Sequence, residues 1–98
     1  MTLEEATEKI KEKVGEDCGL DAKVKFLLEG EHVIYVDSTK VPNEVTNTDA
    51  EADTTIKMKM ATFEKILTGQ SNPMNAFMMG KIKVDGNMGI AMNINKII

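Results

Sequence analysis

The sequence has no Arg, no Trp, one Cys and one His. Without Arg there is no bidentate clamp for phosphate, and without Trp the strongest cation–π face is missing. A lone Cys18 excludes an internal disulfide and supplies no zinc spacing, so a reducing, cytoplasmic setting is the expectation. A lone His32 closes most routes to His-based catalysis or a multi-His metal site. No apolar run approaches the roughly 18 residues of a membrane span. Glu4, Glu5 and Glu8 precede the first Lys and no apolar stretch follows, so no secretory signal is read. There is no repeat, low-complexity tract or linker. What remains is 98 residues with 42% hydrophobic and 29% charged side chains. That is ordinary globular composition, and the expectation is one domain over residues 1–98.

The net charge of −4 hides an asymmetry. Residues 1–56 carry 14 acids against six Lys, a net −8, while residues 57–98 carry six Lys against Glu64 and Asp85, a net +4. Seven of the eight Met also lie in the second part: Met58, Met60, Met74, Met78, Met79, Met88 and Met92. An acidic chain without an Arg cluster is a poor nucleic-acid binder, because phosphate neutralisation dominates that affinity.

Thr2 and Glu5 form a capping box, and Leu3, Ala6, Ile10 and Val14 continue it as one stripe of an amphipathic helix ended by Gly15. Val24, Phe26 and Leu28 alternate with Lys23 and Lys25, predicting a strand over 22–29. Gly30–Glu31 reads as a hairpin turn, and His32–Asp37 as a strand apolar on both faces. A third strand is expected over Glu44–Thr48 and a fourth over 52–58. Thr62–Thr68 reads as a helix closed by Gly69. Asn72 and Pro73 open another, with Asn as N-cap and Pro at the first helical position. Ile82 and Val84 share one face of a fifth strand, and Asp85–Gly86 reads as a turn. Asn87 then caps a terminal helix with Met88, Ala91, Met92 and Asn95 on one side and Ile90, Ile94 and Ile97 on another. Alternating periods of this kind predict an α+β layer fold with a mostly antiparallel sheet.

Little here carries covalent chemistry. Glu16, Asp17 and Asp21 surround Cys18 and disfavour its thiolate. Asp49, Glu51 and Asp53 lack the twelve-residue calcium loop and read as turn and strand-edge residues. Gly80, Gly86 and Gly89 match no phosphate-binding fingerprint. The informative feature is the Met and Phe stripe. A dry core favours Leu, Ile and Val, whereas flexible, polarisable Met suits a cavity that reshapes around apolar guests.

The succession Ala52-Asp-Thr-Thr-Ile56, Phe63, Leu67-Thr68-Gly69, Asn72-Pro73, Ala76-Phe77, Gly80-Lys81-Ile82-Lys83-Val84 and Gly86-Asn87-Met88-Gly89-Ile90-Ala91-Met92 resembles the sterol carrier protein type 2 lipid-binding domain. The resemblance implies a mixed five-stranded sheet with helices packed on one face. It also implies an apolar tunnel between them for a fatty acid, acyl-CoA, phospholipid or sterol. By the family pattern Phe63, Ile66, Leu67, Phe77, Met78, Ile82, Met88 and Met92 line that tunnel. The residues themselves offer no acid–base pair, no nucleophile with a base and no metal set, so no metal, no cofactor and no catalysis are expected. Eukaryotic members often end in a peroxisomal tripeptide, whereas Asn95-Lys96-Ile97-Ile98 gives no support to peroxisomal delivery.

Non-covalent binding of a lipid, with its transfer, is the leading expectation for function. The chain is expected to be a monomer, with transient contact to anionic membrane through its positive half and no nucleic-acid partner. Lys57, Lys59, Lys81 and Lys83 are candidates to meet a head group, against the plainer reading of a solvated strand face. The alternative is a protein-interaction or accessory module that uses Ile90, Ile94, Ile97 and Ile98 as an interface.

Overall fold

The computed structural model describes residues 2–98. The first helix, α1 (Leu3–Val14), begins as the capping box requires. The Thr2 hydroxyl accepts the Glu5 N–H and the Glu5 carboxylate accepts the Thr2 N–H. Ala6, Ile10 and Val14 bury its apolar stripe. Strands β1 (Lys23–Leu28), β2 (His32–Asp37), β3 (Glu44–Thr46), β4 (Thr54–Met58) and β5 (Ile82–Gly86) form one sheet in the order β3-β2-β1-β4-β5. β1 and β4 pair in parallel, and the other three pairs are antiparallel.

Strand alternation divides the sheet into two faces. Val24, Phe26, Leu28, Ile34, Val36, Ile56, Met58 and Ile82 join one core cluster with residues of every α-helix. The helices therefore pack on this one face. Helices α2 (Met60–Leu67) and α3 (Pro73–Met78) supply Phe63, Ile66 and Ala76. The Phe26 and Phe63 rings meet at 5.6 Å between centroids, tilted by 54°, a favourable aromatic geometry. On the opposite face the segment after β3 forms a strap. Asp49 pairs with Lys25 at 2.8 Å, the Glu51 carbonyl accepts the Tyr35 hydroxyl, and the Asp53 carboxylate accepts the Lys23 N–H. Asp49 and Asp53 thus tie this segment to β1 through their side chains, and Glu51 ties it to β2 through its backbone carbonyl.

Several boundaries differ from the sequence reading. β3 stops at Thr46, β4 starts at Thr54, and α2 starts at Met60. Asp85 and Gly86 are not a turn but the end of β5, paired with Thr55 and Thr54. Gly86 has φ +118°, and a Cβ there would lie 2.6 Å from the Asp53 carbonyl oxygen. The backbones approach so closely that only glycine fits.

The terminal helix is the largest correction. It divides into α4 (Met88–Ala91) and a 3-10 turn over Ile94–Lys96. Asn87 caps α4 by accepting the Ile90 N–H, as expected. The Asn93 side chain then donates to the Gly89 carbonyl. Asn side chains compete for backbone groups in this way, and Gly89, Asn93 and Asn95 together favour a short helix over a long one.

Candidate functional site

Two clefts flank the β4/β5 edge of the sheet. The first is apolar and lies among α3, β5 and the C-terminal segment. It is lined by Pro73, Met74, Phe77, Ile82, Val84, Met88, Ala91, Met92 and Ile94, with no charged side chain. Its sequence origin is plain. Asn72 accepts the Met74 N–H and fixes the start of α3, which places Met74 and Phe77 three apart on one helix face. Ile82 and Val84 alternate inward on β5. The cleft encloses about 20 Å³, room for about one water and no more.

The eight residues assigned to a lipid tunnel separate in the structure. Phe77, Ile82, Met88 and Met92 come together in the apolar cleft. Phe63 and Ile66 are buried in the core, and Leu67 packs partly buried against it. Met78 is 80% exposed and lies outside the cleft. Pro73, Met74, Val84, Ala91 and Ile94 line the cleft but were absent from the expected set. Val84 shares its strand face with Ile82, and Met74 shares its helix face with Phe77, so both were readable. Ile94 was not, because an unbroken helix would turn it away from Met88 and Met92. Ile94 and Ile97 are both buried in the chain's own core. An interface built from Ile90, Ile94, Ile97 and Ile98 is therefore not available on this surface.

Five methionines stay in water, and three of them, Met74, Met88 and Met92, line the apolar cleft. Met74, Met78, Met79, Met88 and Met92 are between 39% and 80% exposed. They sit on α3 and α4 or, for Met79 and Met92, at the residue that ends each, and these elements hold only six and four residues. Such short helices hold few backbone bonds and open at low cost relative to the sheet.

The second cleft is charged and larger, about 710 Å³. Lys57, Lys59, Lys65, Lys81 and Lys83 line it, with Glu29 as the one acid. Lys57, Lys59, Lys81 and Lys83 hold odd positions on or next to β4 and β5, so they share the polar side of the sheet. The corner is closed by the Gly30 turn and by Ala61, Thr62 and Ser71. The Glu29 carboxylate accepts the Met60 N–H at 2.8 Å and so caps α2, whose own N-cap side chain, Lys59, makes no such bond. Sequence reasoning found four of these lysines but not the cavity, which forms only when the hairpin turn and α2 meet the sheet edge.

His32 contacts Glu31 at 3.3 Å on the exposed hairpin. Cys18 is half-buried, and its backbone N–H donates to Asn43. Among the described residues no group of three His, Cys, Asp or Glu is placed to hold a metal ion. Nor is any described helix long and apolar enough to cross a membrane.

Comparison with known proteins matches the arrangement to one family. Residues 3–98 fit the profile of the SCP-2 sterol transfer family. The chain is 38% identical over 98 residues to human sterol carrier protein 2, covering 97% of this chain and 17% of that protein. It spans less than a fifth of the mammalian relatives it matches. Apo sterol carrier protein 2 from Yarrowia lipolytica superposes with a TM-score of 0.70 at 25% identity, over 94% of this chain and 72% of that one. The solution structure of palmitated SCP2L2 from Aedes aegypti gives 0.76 at 19% identity, over 98% and 93%. Sheet order, helices on one face and sequence therefore agree, and the chain belongs to the SCP-2 sterol transfer family.

Proposed function

We propose that residues 1–98 form one non-catalytic lipid-binding domain that takes the apolar portion of a fatty acid, acyl-CoA, phospholipid or sterol into the apolar cleft. The observation that carries this reading is the cleft wall itself, apolar throughout and edged by exposed Met side chains. Met reshapes around varied guests without a large rotamer penalty. The palmitated Aedes aegypti protein shares the fold, which supports an acyl guest.

The energetics favour uptake. Each buried CH₂ contributes about 0.8 kcal/mol, so a chain of about 14 methylenes gains about 11 kcal/mol before ordering losses. Micromolar affinity requires about 8 kcal/mol. A cleft of about 20 Å³ does not hold such a chain as it stands. Binding therefore moves α3 and α4 away from β5, and the exposed Met side chains follow the guest inward. The half-buried free thiol of Cys18 fits a reducing, cytoplasmic setting. The domain acts as a monomer on this reading.

Titration with a fluorescent fatty acid, followed by native mass spectrometry, tests the proposal. One guest per chain on a monomer supports it. An empty chain that self-associates contradicts it.

A further inference from the structure

We infer that the lysine cleft is a binding site for a phosphate-type anion. Five lysines, Lys57 on β4, Lys65 on α2, Lys83 on β5 and Lys59 and Lys81 beside them, line one cavity of about 710 Å³. Glu29 is the single acid on its wall, and its carboxylate is already engaged with the Met60 N–H. Lys57 makes a long contact of 3.9 Å with Asp85. Lys59, Lys65, Lys81 and Lys83 form no ion pair among the described residues.

A second observation points the same way. Lys57 and Lys83 are directly paired across the β4/β5 ladder. Like charges in that position destabilise a sheet. Local rules are broken in this manner mainly where function requires it. A bound anion between the two strands reverses the repulsion, and the low-dielectric walls of Leu27 and Met58 strengthen the attraction. Lysine binds phosphate as a point charge, which suits a site without Arg.

The inference stands apart from the lipid reading, since a chain that takes up no fatty acid could still satisfy it. The probe is inorganic pyrophosphate, followed by amide chemical shifts of the full chain. Shifts confined to Gly30, Lys57, Lys59, Lys81 and Lys83, saturating and weakened by added salt, are expected. Lys59→Gln with Lys83→Gln should weaken binding about tenfold. Lys9→Gln with Lys13→Gln, on α1, should leave it unchanged. All four residues are exposed, so the variants fold. Methyl phosphate and hexyl phosphate then separate the sources. Tighter binding of the hexyl compound at the same lysines identifies a lipid head group, and equal binding identifies a free phosphate compound. Shifts that never saturate, or equal weakening by the α1 pair, overturn the inference.

Discussion

Met58 and Ile82 stand opposite each other in the β4/β5 ladder, and each forms the wall of a different cleft. Met58 borders the lysine cavity, and Ile82 borders the apolar one. A single rung of hydrogen-bonded backbone therefore separates a site suited to charge from a site suited to hydrocarbon. Both side chains are buried, at 7% and 3% exposure, so the partition belongs to the core and not to mobile surface groups.

Met88 is 46% exposed at the lip of the apolar cleft. Met88→Asp should leave the sheet folded, because no core packing is lost. It should abolish fatty-acid uptake, because a carboxylate at the lip faces both a desolvation cost and the guest's own charge. Far-ultraviolet circular dichroism and fluorescent fatty-acid titration read the two effects. An unchanged affinity removes Met88 from the binding wall.

Gly86→Ala should cost about 2 kcal/mol or more, since the backbone has φ +118° and the new Cβ meets the Asp53 carbonyl at 2.6 Å. The same carbonyl accepts the Asn87 N–H, so the start of α4 should also be disturbed. Urea denaturation measures the loss. Wild-type stability in this variant contradicts the close-approach account.

Much of the fold was legible because it is local. Thr2 with Glu5, Asn72 with Pro73, and the alternation through Val24, Phe26 and Leu28 each encode structure within a few residues. The β1/β4 parallel pairing was not readable, since about thirty residues separate Val24 from Thr54 and no turn chemistry links them. The break after Ala91 was hidden because apolar periodicity continues across it while the Asn93 side chain diverts the backbone. At the site, Phe77, Ile82, Met88 and Met92 followed from the stripe and the family pattern. Phe63 and Ile66 share the same apolar character but meet Phe26 and the core, a distinction set by tertiary packing alone.

Thr54 is 1% exposed on the core face, between Val24 and Gly86, and its hydroxyl has no hydrogen-bond partner among the described residues. Thr54→Val keeps the shape and removes the buried polar atom. It should stabilise the chain by about 1 kcal/mol. Thermal and urea unfolding report the sign, and a destabilised variant shows that the hydroxyl is satisfied in solution.

The buried Asp37 carboxylate accepts both the hydroxyl and the N–H of Thr39. The hydroxyl bond is the leading cause that holds its pKa below the ordinary carboxylate value, and burial opposes it. Because the folded pKa lies below the unfolded one, this contribution is complete above the unfolded value and is lost as pH falls through the folded value. Thr39→Ala should cost roughly 1–2 kcal/mol at neutral pH. The gap from wild type should narrow in acid, where the carboxyl is protonated in both chains. Urea melts at the two pH values test it, and a gap independent of pH contradicts the assignment.

Lipid binding by this chain requires hydrocarbon to enter beside β5. Methyl spectra of the full chain with ¹³C-labelled Met, recorded during palmitate titration, observe that event directly. Met74, Met88 and Met92 should shift together and saturate at one palmitate per chain, with Met58 and Met60 little changed. Saturable uptake that moves only Met58 and Met60, or that moves no Met methyl, places the guest elsewhere and contradicts the account.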